Sequence, residues 1–123
     1  RTPSDWLTKD EAIINTCIHH PWSTFRFTVN GYYQMFRGIQ YIQNPAHIQQ
    51  IPKNLPLFFV AGGDDPVGNN GKSVTQVCQQ YKAAGIQDVQ IKLYPGDRHE
   101  ILNETDRDVV YADLLTWLNG HLA

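Results

Sequence analysis

The sequence predicts an α/β fold in which helices pack on a parallel sheet, and three observations support this prediction. Residues 57–61 form an uninterrupted apolar run, which is typical of a strand covered on both faces. A second strand is expected over residues 89–94. A helical spacing of apolar residues follows each strand, so the second half has the order β-α-β-α and implies a right-handed crossover between parallel strands.

Two strands do not form a stable parallel sheet by themselves, because their edges and faces would be exposed to water. We therefore expect an incomplete domain, whose missing strands come from an N-terminal half or from a second copy of the chain. The chain divides into a helical segment, residues 1–50, and part of the sheet domain, residues 51–123.

The helical segment is predicted to begin with a helix over residues 9–19. Thr8 and Glu11 have the spacing of a capping box, in which two side chains bind free backbone N–H groups at a helix start. Pro21 ends this helix, because proline lacks the N–H group that a continuing helix uses.

Thr28 is the expected N-cap of a second helix, which ends before Pro45. Apolar side chains recur along it at three- and four-residue intervals and form one broad face. They are Val29, Tyr32, Tyr33, Phe36, Ile39 and Ile42. Such a face is more often core packing than a ligand site. A short helical turn over residues 46–50 is expected to follow.

The helix after the first strand is predicted from one apolar face and a terminating glycine. The face consists of Val74, Val77, Cys78 and Tyr81. Gly85 is expected to adopt the left-handed conformation that commonly ends a helix. The last helix is predicted to begin at a second capping pattern, Thr105 with Asp108.

The composition is that of an ordinary globular chain, with 41% apolar and 18% charged residues in a length of 123. A formal charge of −2 without any basic run argues against binding to nucleic acid or to an anionic membrane surface. No apolar stretch is long enough for a membrane span, and residues 1–5 do not resemble a signal peptide. We therefore expect a cytoplasmic location.

No cofactor and no metal site are predicted. Cys17 and Cys78 lie on apolar stripes of separate helices without ligand spacing, so both are interpreted as reduced core residues. His19 and His20 are adjacent and point to different sides of a helix end, which is poor geometry for sharing a metal ion.

An acid and a histidine follow the two predicted strands, in loops where α/β proteins commonly place functional residues. Asp65 lies in a Gly-Gly-Asp-Asp-Pro loop and His99 in a Pro-Gly-Asp-Arg-His loop. A histidine acts as general base when a carboxylate orients its ring, and parallel strands would bring these loops together. Asp65 is favoured over Asp64 because the following proline holds it extended. Asp97 is the rival acid, but it is so near His99 that a turn is the simpler interpretation.

The order of acid before histidine is that of an α/β-hydrolase triad, whose serine comes earlier on a Gly-x-Ser-x-Gly turn. This chain has no such turn. Its serines are Ser4, Ser23 and Ser73. Ser73 follows the acid, lacks the closing glycine and is interpreted as a helix-start residue. A P-loop is excluded as well, because Pro66 occupies the position of the first glycine that this motif requires.

Three strings make the resemblance to a known family close: LFFVAGGDDPVG at 57–68, YPGDRHEILNE at 94–104 and VYADLL at 110–115. They resemble the serine aminopeptidase (Hydrolase_4) group of α/β-hydrolases, which includes monoacylglycerol lipases and lysophospholipases. The string DWLTKD at 5–10 and the region after Phe27 resemble the end of that family's cap, which roofs an acyl-binding pocket. The resemblance implies that Asp65 is the triad acid and His99 the triad base.

Two hypotheses follow. In the first, the chain is the C-terminal part of a serine hydrolase that acts on carboxylic esters, and the isolated chain is inactive because the serine is absent. In the second, it is a non-catalytic, hydrolase-like module that assembles with itself or with another chain through exposed sheet edges.

Overall fold

The computed structural model describes residues 1–23 and 25–122. Its elements follow one another in the order helix, helix, helix, strand, helix, strand, helix. They are α1 (Glu11–His19), α2 (Val29–Ile42), α3 (Pro45–Ile48), β1 (Leu57–Gly62), α4 (Lys72–Ala83), β2 (Val89–Tyr94) and α5 (Arg107–Asn119), with a 3₁₀ turn at Ile101–Asn103 before α5.

The two strands pair in parallel, which confirms the predicted α/β arrangement. The register runs from Leu57 opposite Val89 to Gly62 opposite Tyr94. Their carboxyl ends therefore lie side by side, and the loops that follow both strands leave the sheet at the same edge. β1 is one residue longer than expected, and β2 has the predicted bounds.

The core consists of two clusters on opposite faces of this sheet, because successive strand residues point to alternate faces. On one face α4 contributes Cys78, which packs with Ile86 and Val89. On the other face α5 contributes Val110, which packs with Tyr94 and Ile101. β1 is half-buried along most of its length, so these two helices cover it only in part.

Several helix starts differ from the prediction. α1 begins at Glu11, and its N-cap is Asp10, whose carboxylate accepts the N–H groups of Ala12 and Ile13. The predicted cap, Thr8, is instead buried with its hydroxyl 3.0 Å from the Glu104 carboxylate. The prediction of a capping box is therefore wrong, because the Thr8 hydroxyl makes a tertiary contact with Glu104 instead.

The last helix also starts later than expected. α5 begins at Arg107 after Asp106, which makes no side-chain capping bond, so the predicted pair Thr105 and Asp108 does not form a cap. The third helix likewise spans Pro45–Ile48 rather than residues 46–50. These shifts of one or two residues leave the element order unchanged.

Other local predictions are confirmed. The Thr28 hydroxyl accepts the Gly31 N–H group and caps α2. Gly85 has a φ of +90° directly after α4, as a helix-terminating glycine should. Cys78 is a buried free thiol, as predicted, whereas the free thiol of Cys17 is only half-buried, so Cys17 is not the core residue that was expected. Among the described residues, no helix combines the length and the apolar character that crossing a membrane requires.

Candidate active site

Asp65 is held in a tight loop after β1. It is 6% exposed, and its Oδ1 accepts the Val67 N–H group at 2.9 Å. Its backbone carbonyl also accepts the Asn70 N–H group at 2.8 Å. These bonds orient the carboxylate so that its second oxygen, Oδ2, is available to a neighbour. The preceding residue, Asp64, is exposed.

The loops after β1 and β2 bind each other through their backbones. The Gly63 N–H group donates to the Tyr94 carbonyl at 2.7 Å, and the Asp64 N–H group donates to the Asp97 carbonyl at 2.8 Å. This approach requires glycine at position 62, because a Cβ there would overlap the carbonyl oxygens of Asp97 and Arg98.

His99 meets Asp65 across this junction. Its Nδ1 lies 3.1 Å from Asp65 Oδ2, which is hydrogen-bonding distance. The imidazole side chain is 39% exposed. The Trp6 ring packs against it with a centroid separation of 5.0 Å. Since Nδ1 is engaged by the carboxylate, Nε2 is the ring nitrogen that remains for chemistry.

An open cleft of about 400 Å³ lies beside this pair. Asp65 and His99 both line it, together with apolar side chains of β1 and α4. Ser73 also lines it, in the first turn of α4, as predicted for a helix-start residue. Its backbone N–H group donates to the Gly68 carbonyl at 3.1 Å. The cleft thus joins one polar pair to an apolar wall, which is the general character of a small-molecule site.

The rival acid, Asp97, does not contact the histidine ring. It is fully buried, and its Oδ1 lies 2.6 Å from Lys9 Nζ. Burial raises the pKa of the Asp97 carboxyl, while the lysine opposes that shift. The same hydrogen bond raises the pKa of Lys9. Asp97 therefore joins the N-terminal segment to the histidine loop, which is more than the turn role expected of it.

Three carboxylates surround this lysine: Asp97, Glu104 and Asp106 have oxygens within 4.8 Å of one another. The Lys9 ammonium lies among them, 3.4 Å from Asp106 Oδ1, and supplies a positive charge. Glu104 and Asp97 are fully buried. Sequence reasoning did not single out Glu104 or Lys9, because nothing in the local pattern indicates that residues 95 positions apart make contact.

Comparison with known proteins gives a matching family and relatives that are named as lipases. Residues 1–106 match the sequence profile of the family Hydrolase_4 (serine aminopeptidase, S33). The chain is 34% identical over 92 residues to a monoglyceride lipase of Saccharomyces cerevisiae, a match that covers 71% of this chain and 28% of the relative. It is also 34% identical over 70 residues to a monoacylglycerol lipase of Mycolicibacterium smegmatis, covering 54% of this chain and 22% of the relative.

A solved structure shows the same likeness in three dimensions. The crystal structure of a highly thermostable carboxyl esterase from Bacillus coagulans, in complex with glycerol, superposes with a TM-score of 0.88 and 31% identity. That superposition covers 98% of this chain and 39% of the esterase. The chain thus spans less than half the length of these relatives, and its fold is part of an α/β-hydrolase. The match over residues 1–106 shows that the chain belongs to the Hydrolase_4 (serine aminopeptidase, S33) family, and the parallel strands and the loops of Asp65 and His99 agree with this assignment.

Proposed function

We propose that this chain supplies the acid and the general base of a serine hydrolase that cleaves carboxylic esters of the monoacylglycerol or lysophospholipid kind. The observation that carries the proposal is the 3.1 Å separation between His99 Nδ1 and Asp65 Oδ2. A buried carboxylate in this position holds the ring with its proton on Nδ1 and leaves Nε2 free to accept another.

The chemistry follows from that tautomer. A serine hydroxyl attacks the acyl carbonyl carbon, and its proton passes to His99 Nε2 while Asp65 stabilises the imidazolium. The tetrahedral intermediate then expels the alcohol, which takes the proton from Nε2. A water molecule releases the acid in the same way, with His99 again as base. The serine and the oxyanion hole belong to residues outside this chain, so the isolated chain is expected to be inactive.

The substrate class is inferred from the relatives and from the helical segment. Two relatives are named as lipases of monoglycerides, and one solved relative as a carboxyl esterase. We assign residues 1–50 to the end of a cap over the acyl pocket and residues 51–123 to the hydrolase core. Exposed aromatic side chains on α2 support this division, since a cap over an acyl chain presents such groups. We place the enzyme in the cytoplasm and expect it to need no cofactor.

The test uses the full-length polypeptide that contains this sequence and a short-chain nitrophenyl ester. His99→Ala is expected to lower kcat/KM by about 10³-fold or more, and Asp65→Asn by a comparable factor, because the triad acts as a unit. Matched controls are Asp64→Asn, next to the acid but exposed, and His19→Ala, an exposed histidine at the end of α1. Both controls should stay within about twofold of the parent activity. Unchanged rates in His99→Ala refute the assignment.

A second candidate is a non-catalytic module that assembles through its sheet. Each described strand has one neighbour, so each has one edge without a partner in the part of the chain that the structure describes. The intact mass of the source polypeptide separates the two candidates. A polypeptide more than twice this length supports the enzyme. A natural product of this length that forms dimers in sedimentation supports the module.

A further inference from the structure

The loop that carries His99 is bound by a segment from the other end of the chain. The His99 N–H group donates to the Trp6 carbonyl at 3.3 Å, and the Glu100 N–H group donates to the Leu7 carbonyl at 2.7 Å. The Arg98 guanidinium donates to the Thr8 carbonyl at 3.1 Å and also to the Asp5 carbonyl. The histidine therefore takes its position from residues 5–9 as well as from β2.

Glu104 is the side chain that joins these two segments. Its Oε1 accepts the Arg98 N–H group at 2.7 Å, directly before His99. Its Oε2 accepts the Lys9 N–H group at 2.9 Å and lies 3.0 Å from the Thr8 hydroxyl. One fully buried carboxylate thus binds a backbone donor on each side of the junction. Because one carboxylate binds both backbone N–H groups, it fixes the distance between residues 5–9 and the histidine loop more tightly than a single hydrogen bond would.

The junction also sets what stands beside the imidazole. Because residues 5–9 are held against the loop, the Trp6 ring stays 5.0 Å from the His99 ring. The His99 ring also contacts Asp65, whose Oδ2 lies 3.1 Å from Nδ1. A general base has to be held to within about 0.5 Å of its working position for efficient proton transfer. If the junction moved, His99 Nε2 would therefore be displaced, even if the ring kept its contacts with Trp6 and Asp65.

We propose that Glu104 is a positioning residue for the reaction, which holds His99 against Asp65 by binding Arg98 and Lys9 at once. The inference rests on the proposed function of His99. Glu104 does not contact the substrate in this proposal. It acts through the backbone on either side of His99 and through the contact between Trp6 and His99.

The test is Glu104→Gln in the full-length polypeptide, since glutamine has nearly the same shape but only one acceptor oxygen. Each carboxylate oxygen of Glu104 faces a backbone N–H group, so either orientation of the amide sets an NH₂ group against a donor. We expect kcat to fall about 10- to 100-fold, with KM within about twofold, because a small displacement of a catalytic group affects the transition state. The matched control is Glu11→Gln, an exposed glutamate on α1, which should leave kcat unchanged.

A second readout does not depend on ester hydrolysis. The proton on His99 Nδ1 that points to Asp65 gives a low-field NMR signal, identified by its loss in His99→Ala. We expect Glu104→Gln to weaken or broaden that signal.

If the Glu104→Gln variant does not fold, Thr8→Val serves instead, because it removes one partner of the same carboxylate. A several-fold decrease in kcat is expected for Thr8→Val.

A folded variant with parent kcat and an unchanged Nδ1 signal overturns the proposal. A lower melting temperature with parent kcat for each folded molecule also overturns it, because that result describes a purely structural carboxylate. Full activity in His99→Ala would refute the proposed function, whereas the Nδ1 signal would still show whether Glu104 positions the ring.

Discussion

The loops after the two strands and the helix α2 are built in opposite ways. In the loops, the buried carboxylates of Asp65, Asp97 and Glu104 bind partners that are distant in the sequence. In α2 (Val29–Ile42) no residue is buried, and the ring contacts of its aromatic side chains reach only neighbours in the chain, such as Tyr32 with Phe27 and with Phe36. The acid–histidine pair is thus positioned by contacts within the described residues, whereas these residues leave the aromatic face of α2 exposed.

The largest expected difference between the two regions comes from adding one methyl group to a glycine. Gly62→Ala should destabilise the full-length polypeptide by about 3 kcal/mol, because backbone carbonyls occupy the space and cannot move cheaply. Gly38→Ala, within α2, meets no atom within 4 Å and should stabilise it by about 0.5–1 kcal/mol. Urea denaturation of both variants measures the difference. Equal effects would contradict the contrast between a packed loop and an open helix.

A smaller effect is expected from shortening one valine in each region. Val110 is fully buried under β2, and Val110→Ala should cost about 2 kcal/mol of unfolding free energy. Val29 is 88% exposed, and Val29→Ala should change stability by less than about 0.5 kcal/mol. Thermal unfolding of the full-length polypeptide provides the measurement. A cost for Val29→Ala close to that of Val110→Ala would show that other residues of the polypeptide bury the start of α2.

The smallest effect concerns the end of α5, which is joined to the sheet by an exposed ion pair. His121 Nε2 lies 2.8 Å from Asp88 Oδ2. A hydrogen bond to the Trp117 carbonyl, followed by the Asp88 carboxylate, raises the pKa of His121. The histidine bond lowers the pKa of Asp88. The pair therefore stabilises the fold at pH values between the lowered pKa of Asp88 and the raised pKa of His121. The contribution of His121 is complete below the ordinary histidine pKa and is lost as the pH rises through its raised pKa.

Asp88→Asn should accordingly lower the melting temperature of the full-length polypeptide slightly at pH 5.5 and less at pH 8.5. The effect is small because solvent screens both side chains. His121→Gln is the reciprocal variant and should show the same dependence on pH. A larger decrease at pH 8.5 than at pH 5.5 would contradict the assigned direction of the His121 shift.

Much of the site was predictable from local pattern. The apolar run that became β1 and the strand β2 were expected nearly to the residue, and parallel pairing of these strands brings their following loops to one edge. That reasoning was sufficient to select Asp65 and His99, which the structure places 3.1 Å apart. It was not sufficient for Glu104, because a carboxylate in a polar loop looks the same in sequence whether it is exposed or buried.

The helix starts show the same limit from the other side. Thr8 has the residue type and spacing of a helix cap, yet its hydroxyl lies 3.0 Å from Glu104, and Asp10 caps α1 instead. Thr28, which has no such tertiary partner among the described residues, caps α2 as its local sequence predicts. For these two threonines, the local rule held where the hydroxyl was exposed and failed where a distant segment bound it.

The α/β order, the two parallel strands and the loops that carry the acid and the histidine are encoded locally, because hydrophobic periodicity and turn residues act over a few positions. The burial of particular carboxylates, the pairing of Lys9 with Asp97 and the contact of residues 5–9 with the histidine loop depend on the folded chain as a whole. Such contacts join residues about 90 positions apart, and a hydrogen bond between them depends on where the whole fold places each donor and acceptor.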